Sequence, residues 1–280
     1  MQRLSVVVLF AAAAAASFLP ANLPGLVVWL DCSVASSLTL DAYADITAWG
    51  SPPGGPPGVF VPEPGSTGFG VTRSAANRHL PIVNLSAPMR DNALVSAAPP
   101  PPAVSADVTI AWIGTLYDAP AAAAAANVTL LHTTPPDLSS GRHLDLFVQP
   151  PGAGSTAATL FWLSSVSDCP PNTCQQTSFA LPVAANERVI LVAAFDAAAS
   201  TLTVSLNGAA AGSATLPQPN VVTDSVVAAL ASFPRSDGEA SFAANAAIHE
   251  VIVAGKLDDA DMRELLSWAS RKWDIQVQGR

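Results

Sequence analysis

Prolines recur from Pro20 to Pro234 and restrict the fold of this chain more than any other feature. The 280 residues include 25 prolines and 17 glycines. Proline breaks the interior of a helix, and both residue types favour turns. A chain punctuated in this way suits many short strands joined by turns and leaves little room for long helices.

Stretches with the character of β-strands recur from residue 108 onward, at spacings typical of an all-β sandwich. The predicted strands are Val108–Gly114, Val128–His132, His143–Gln149, Thr159–Leu163, Val189–Phe195, Thr201–Asn207 and Ile248–Val253. The alternation is clearest in the sixth, where Leu202, Val204 and Leu206 lie on one face. Asn207-Gly208 then predicts a tight hairpin turn, because both residues tolerate positive φ.

One amphipathic α-helix is predicted close to the C-terminus. Asp258 is placed to cap its first turn, and Arg271 and Lys272 lie at its other end, as the helix dipole favours. Its apolar residues recur at helical spacing and form one stripe: Met262, Leu265, Leu266, Ala269 and Trp273. Because this stripe has to be covered, we expect the helix to lie on an edge or open face of the sandwich.

The net charge, hydrophobic content and length of the chain limit the classes of protein to which it can belong. The chain carries 12 Lys and Arg against 21 Asp and Glu, a formal net charge of −9. Nucleic acid would repel such a chain, so we exclude it as a partner. Half of the residues are hydrophobic, which indicates a folded body. The length suits one large all-β unit, and we expect a single domain over residues 23–280.

The N-terminal segment has the pattern of a secretory signal peptide. Arg3 gives residues 1–19 a short basic start, an apolar run from Leu4 to Ala16 follows, and small residues surround a cleavage point. Export would remove roughly the first 16 to 21 residues, and no later stretch is long and apolar enough to span a membrane. The sequence therefore predicts a protein that is secreted or displayed on an extracellular or virion surface.

Cysteine spacing agrees with export. Cys169 and Cys174 flank the turn-rich segment 170–173, where a small disulfide is expected to close in an oxidising compartment. Cys32 is left over, and its apolar surroundings predict a buried free thiol. Asn84 and Asn127 each begin an N-glycosylation sequon, which matters only if the host glycosylates secreted proteins.

Both ends of the chain carry recognisable runs of residues. Residues 23–31 read LPGLVVWLD and residues 46–49 read ITAW. Residues 248–253 read IHEVIV, and 257–261 (LDDAD) and 271–275 (RKWDI) follow. The first set resembles the opening of LamG-like, concanavalin A-like lectin and glucanase domains, and the second set is similar to the last strand and helix of that family. The resemblance implies an antiparallel two-sheet jelly-roll sandwich. It departs from the family at Cys32, where alanine is usual, and in residues 50–70, which we expect to form a loop rich in Pro and Gly.

No catalytic motif is evident. A jelly-roll glucanase needs two carboxylates close together on one strand. The glutamates stand apart in the sequence: Glu63, Glu187, Glu239, Glu250 and Glu264. A cluster of aspartates begins at Asp258, where helix capping explains it. We therefore expect a protein that is not an enzyme, with glycoside hydrolase as a minority alternative.

Metal and cofactor binding have no linear motif either. The four histidines, His79, His132, His143 and His249, show no short metal-binding spacing. Calcium is harder to exclude, because sandwiches can bind it through loop carboxylates without such a motif. The aspartates in predicted loops are Asp118, Asp137, Asp168 and Asp237, and turn formation is the better interpretation of each. No cofactor is predicted.

A candidate ligand-binding face comes from one hairpin. If the strands from His143 and from Thr159 pair around Ala153, residues of equal parity share a face. Trp162 then joins Leu144, Leu146 and Leu160 in the core. The opposite face presents His143, Asp145, Phe147 and Phe161. A shift of one residue in the pairing would exchange Phe161 for Trp162. The other tryptophans lie in apolar periodicity and are assigned to the core: Trp29, Trp49, Trp112, Trp268 and Trp273.

The sequence thus predicts a secreted or surface-displayed, non-catalytic recognition module that binds carbohydrate, with a glycan or a surface protein as its partner. The alternative is a structural surface protein of a virion or cell envelope that associates with copies of itself. The Ala-rich, weakly charged composition fits that alternative well.

Overall fold

Alternating burial along short strands builds two antiparallel sheets that share one apolar core. This is the two-sheet sandwich with a C-terminal helix that the sequence predicts. The computed structural model describes residues 18–62, 69–73, 80–85, 94–97, 106–117, 128–134, 143–149, 157–165, 175–216, 226–231 and 246–278.

The first sheet has eight strands. Its order is β15-β14-β13-β8-β17-β6-β5, and β1 also pairs with β17. The strands are β1 (Val28–Asp31), β5 (Phe69–Arg73), β6 (Pro81–Leu85), β8 (Val108–Leu116), β13 (Glu187–Asp196), β14 (Thr201–Leu206), β15 (Ala209–Thr215) and β17 (Ala246–Ala254).

The second sheet has nine strands, in the order β12-β11-β10-β9-β16-β7-β4-β3-β2. They are β2 (Leu38–Leu40), β3 (Ile46–Gly50), β4 (Val59–Pro62), β7 (Leu94–Ser96), β9 (Val128–Thr134), β10 (His143–Gln149), β11 (Ala158–Ser165), β12 (Gln175–Leu181) and β16 (Val226–Ala231).

The helix α1 (Asp259–Trp273) covers the first sheet on the side away from the second. The side chain of Asp258 accepts hydrogen bonds from the backbone N–H groups of Ala260 and Asp261, so the predicted N-cap is confirmed. Leu265, Ala269 and Trp273 are its buried residues. Every residue of β8 and β17 is buried, because these central strands lie between the second sheet and this helix.

The predicted hairpin after residue 201 is confirmed. Leu202, Val204 and Leu206 are buried, while Thr203 between them is exposed. Asn207 and Gly208 have φ of 49° and 79°, as a tight turn between β14 and β15 requires. The pattern of alternation thus identified both the face and the turn.

Other expectations need correction or lie outside the described residues. Residues 50–70 are not one loop, because β4 crosses them and β5 begins at Phe69. Their prolines concentrate in the turns, and a Pro at the end of β4 is compatible with a strand. Four of the tryptophans assigned to the core are buried, namely Trp29, Trp49, Trp112 and Trp273, whereas Trp268 is half-buried.

The signal-peptide prediction falls mainly on residues 1–17, outside the described ranges. Among the described helices, none is long and apolar enough to cross a membrane.

Close packing at Gly114 gives a test of the core. A Cβ built there would lie 2.3 Å from the indole of Trp112 and 2.4 Å from the carbonyl oxygen of Ala247. We expect Gly114→Ala to lower the free energy of unfolding by about 1 to 3 kcal/mol, because the overpacked strands have to move apart. Chemical denaturation measures the change.

Gly50→Ala is the matched control for that substitution. Gly50 is also a strand glycine, but a Cβ there meets nothing closer than 3.5 Å. We expect it to change stability by less than about 0.5 kcal/mol. Equal effects of the two substitutions would contradict the packing described for Gly114.

Candidate functional site

Two strands share one edge of β17. Residues 28–31 of β1 pair with the C-terminal part of β17, and β6 pairs with its N-terminal part, residues 246–248. The junction falls at His249, whose carbonyl oxygen accepts a hydrogen bond from the backbone N–H of Cys32. A β-bulge lies at the same place in the pairing of β17 with β8. Such bulges redirect side chains, and here His249 and Glu250 both contact residues of α1.

This junction brings together two carboxylates that are far apart in the sequence. Asp31 lies directly opposite Glu250 in the pairing of β1 with β17. Glu250 does stand apart from other carboxylates in the sequence, and only the pairing of the two strands places it next to Asp31. Lys272 from α1 bridges them, because its Nζ donates to Asp31 Oδ2 and, at 3.0 Å, to Glu250 Oε2.

Glu250 is surrounded by hydrogen-bond donors. Trp29 Nε1 donates to its Oε1 at 2.7 Å, and Trp273 Nε1 donates to its Oε2 at 2.9 Å. Asp31 accepts at Oδ1 from the backbone N–H and the hydroxyl of Ser33, at 2.8 and 2.6 Å. The described donors satisfy both buried carboxylates, as burial of a charge requires.

Burial dominates the electrostatics of this cluster. It raises the pKa of Glu250 to about 7, the neighbouring Asp31 adds to the rise, and Lys272 and the two indoles oppose it. Burial lowers the pKa of His249 to about 3, with smaller contributions from Arg188 and Lys272. His249 is therefore neutral at physiological pH.

His249 is held between β8 and the helix. Its Nε2 lies 3.3 Å from Thr115 Oγ1, and its ring centroid lies 4.8 Å from that of Trp273. Nδ1 is buried and has no hydrogen-bond partner among the described residues. A proton added at that nitrogen would be buried without a described acceptor, which agrees with the lowered pKa of His249.

Cys32 is a buried free thiol, as predicted. Its sulfur lies 2.7 Å from the carbonyl oxygen of Pro81 and 2.9 Å from that of His249. Burial raises the pKa of the thiol well above its usual value, and the charges of Asp31 and Glu250 raise it further. The neutral thiol therefore contacts the start of β6 and the middle of β17, and its raised pKa disfavours the nucleophilic thiolate.

We call Trp29, Asp31, His249, Glu250, Lys272 and Trp273 the polar cluster. Lys272 is its most exposed member, with 17% of its side chain accessible, and its Nζ lies 4.6 Å from the ring centroid of Trp268. Glu250 is fully buried. A substrate cannot reach that carboxylate, so the cluster fixes β1 and α1 to the sheet rather than forming a catalytic pair.

The candidate ligand-binding residues lie on the second sheet. Phe147 pairs with Phe161, and Leu146 pairs with Trp162. A hairpin around Ala153 would pair Leu144 with Trp162, so the observed pairing differs from the predicted one by two residues. Residues 143, 145, 147 and 161 still share one parity, because a shift of two residues leaves each of them on the same face. Whether these residues bind a ligand stays a prediction.

Burial distinguishes the two faces of this hairpin. Leu146, Val148 and Leu160 are buried, whereas Phe147 and Thr159 are only partly so. We define the outer face as the odd-numbered positions of β10 and β11 together with their strand partners on β9 and β12. On β12 these partners include Ser178, opposite Phe161, and it is exposed.

The structure adds a histidine that the sequence reasoning did not include in this site. His132 on β9 lies directly opposite Asp145 on β10. In the sequence His132 is considered only for metal binding, and its spacing from the other histidines gives that role no support. Its place next to Asp145 depends on the register of β9 with β10, which shifts between Leu146 and Phe147, so no signal in the sequence could fix it.

The remaining predicted sites are mostly outside the described residues. These include Cys169, Cys174, Asn127 and the four loop aspartates considered for calcium. Asn84 lies within β6, between β5 and β17. In the described part of the chain, no group of three or more His, Cys, Asp or Glu residues is placed to hold a metal ion.

Comparisons with known proteins give likeness in fold only. No protein family matches the sequence, and no curated protein matches it either. The binding domain of botulinum neurotoxin serotype D/C VPI 5993 is similar in structure, with a TM-score of 0.53, 10% identity and coverage of 88% of this chain and 52% of that chain. Botulinum neurotoxin type C, whose cell entry depends on interaction with two ganglioside molecules, is also similar. Its TM-score is 0.54 and its identity 9%, and the match covers 88% of this chain and 51% of that chain.

A bacterial module is also similar over a smaller part of the chain. The CBM40 of the Ruminococcus gnavus IT-sialidase, bound to α2,3-sialyllactose, gives a TM-score of 0.44 and 12% identity, and covers 59% of this chain and 84% of that chain. This chain spans about half of the length of the two neurotoxin chains. The neurotoxin likenesses agree with the β-sandwich fold.

The burial of Cys32 predicts how the thiols react. We expect Cys32 to resist alkylation in the native protein and to react after denaturation, while Cys169 and Cys174 are joined in exported protein. Losing that short-loop disulfide should cost at most about 2 to 3 kcal/mol of stability. Mass spectrometry after alkylation with and without denaturant measures this. Three thiols that react in the native state would contradict it.

The opposite pKa shifts predict how stability depends on pH. Between about pH 4.5 and 7, folded Glu250 keeps a proton that the unfolded chain has released, so its contribution falls as the pH rises. Between about pH 3 and 6.5, the unfolded chain binds a proton at His249 that the folded protein does not, so that contribution is lost as the pH falls.

His249→Gln separates these two contributions. We expect the free energy of unfolding of the variant, relative to wild type, to decrease by up to about 1.4 kcal/mol per pH unit as the pH rises from 3 to 6.5. Urea unfolding of both proteins across this range measures the difference. Parallel pH profiles would show that His249 titrates normally in the folded protein.

Proposed function

We propose that this protein is a non-catalytic recognition module that works outside the cell and binds glycan on the outer face. The single observation that supports this best is the cross-strand pair of Phe147 and Phe161 beside Asp145. Aromatic rings stack on the apolar side of a sugar ring, and carboxylate and imidazole groups hydrogen-bond its hydroxyls. Such a face combines both kinds of contact.

The division of the fold also supports a binding role. The polar cluster and α1 close the first sheet, so the cluster is inaccessible to ligand. The outer face belongs to the other sheet, and it includes exposed positions on β12 such as Ser178 and Ala180. A ligand on that face can exchange without disturbing the junction of β1, β17 and α1.

Alanine substitutions test the site. We expect Phe161→Ala and Asp145→Ala each to weaken glycan binding by about 1 to 3 kcal/mol, with a much smaller effect on stability. Trp162→Ala should instead destabilise the fold by about 3 to 5 kcal/mol, because its register position is opposite the buried Leu146. Glycan-array binding and thermal melts measure both effects.

Tyr43→Ala is the matched control. Tyr43 is 87% exposed and follows β2, at the opposite edge of the second sheet from β12. Its loss should leave glycan binding unchanged. A wild-type protein that binds no glycan would refute the proposal, and unfolding by Phe161→Ala but not by Trp162→Ala would refute the assignment of faces.

Self-association is the second candidate function. β2 forms an edge of the second sheet, and large apolar residues near it, Leu40, Tyr43 and Val59, are exposed. Exposed edge strands with apolar side chains favour association between copies. Size-exclusion chromatography distinguishes the two: a large assembly supports the structural role, and a monomer retained on a carbohydrate matrix supports recognition.

A further inference from the structure

The second sheet is almost free of charge. Its nine strands contain one charged residue, Asp145, and no Lys or Arg. The strands of the first sheet contain six charged residues: Asp31, Arg73, Glu187, Arg188, Asp196 and Glu250. This difference in charge does not follow from the size or the strand direction of the sheets, since both are antiparallel and they have eight and nine strands.

We infer that the outer face selects uncharged, hydroxyl-rich saccharides and discriminates against saccharides that carry carboxylate or sulfate groups. This inference rests on the proposed function, because it specifies the ligand of the same face. It differs from the chemistry of sialylated and ganglioside ligands, which carry a carboxylate.

Charge complementarity supports this choice. An anionic sugar has to lose water when it binds, and the strands of this face offer no Lys or Arg in compensation. Asp145, the single charge of the sheet, would repel it. The net charge of the whole chain, −9, adds to the repulsion rather than offsetting it.

The polar residues of the face suit hydroxyl groups. A sugar hydroxyl both donates and accepts hydrogen bonds. Asp145 accepts, while His132, Gln149, Thr159 and Ser178 belong to types that donate and accept. The Phe147–Phe161 pair adds apolar surface for stacking. An uncharged sugar with one apolar face satisfies both sets without leaving a charge unpaired.

A panel of matched saccharides tests the inference with the whole protein. Each immobilised neutral oligosaccharide, such as lactose, is paired with a derivative that carries one acidic group, such as 3′-sialyllactose. We expect every neutral sugar that binds to bind at least tenfold more tightly than its acidic partner. Equal or tighter binding of the acidic partners would overturn the inference and leave glycan binding itself intact. Binding of no member would overturn the proposed function.

Asp145→Asn tests how far the charge of Asp145 sets the preference for neutral saccharides. Loss of the one negative charge should reduce the ratio of neutral to acidic binding at least threefold, even though removal of a hydrogen-bond acceptor weakens both. Asp259→Asn changes the net charge equally at an exposed position at the start of α1 and should leave the ratio unchanged. Equal ratios in wild type and Asp145→Asn would contradict the role given to this charge.

Arg142 is the nearest cation in the sequence, one residue before β10, and lies outside the described residues. Arg142→Ala therefore belongs in the same panel. We expect no change in the ratio. A wild-type preference for acidic sugars that this substitution abolishes would place an anion site at the end of the strand and refute the inference.

Discussion

The fold depends on one buried carboxylate. Glu250 accepts hydrogen bonds from indoles on β1 and α1 and from the ammonium group of Lys272. Removing one partner of such a buried pair leaves the other group without compensation and is strongly destabilising. These contacts hold residues near position 30 and near position 272 on β17.

With glycan binding proposed on the second sheet, this arrangement would also separate the two sheets by role. The first sheet uses its charged residues and α1 to close its outer side, as the contacts of Arg188 with Trp273 and of Lys272 with Glu250 show. The second sheet has almost no charge to pair, and its outer face has no helix among the described elements. Binding on that face therefore does not compete with the interactions that hold the chain ends in place.

Features that depend on neighbouring residues were predictable from the sequence, whereas contacts that depend on the pairing of distant strands were not. Alternation at Leu202, Val204 and Leu206 and the cap at Asp258 depend on neighbouring residues, so they were predictable. The strand Gln175–Leu181 lacks a strong alternation of apolar and polar residues and was missed. The Ala-rich strand Ala209–Thr215 was implied only by the turn predicted at Asn207-Gly208. The contact of Asp31 with Glu250, and the place of His132 opposite Asp145, depend on strand register between distant segments. A buried acid within an apolar strand, such as Glu250 in IHEVIV, was the one signal that a partner had to exist.

We expect ligand recognition and structural closure to occupy opposite sheets. NMR titration of the isotopically labelled protein with a neutral oligosaccharide reports on both sheets in one experiment. Backbone amides of β9 to β12 should shift, with the largest changes near Phe147 and Phe161, while those of β1, β17 and α1 stay in place. Shifts that cluster at α1, at the polar cluster or around Tyr43 would contradict it.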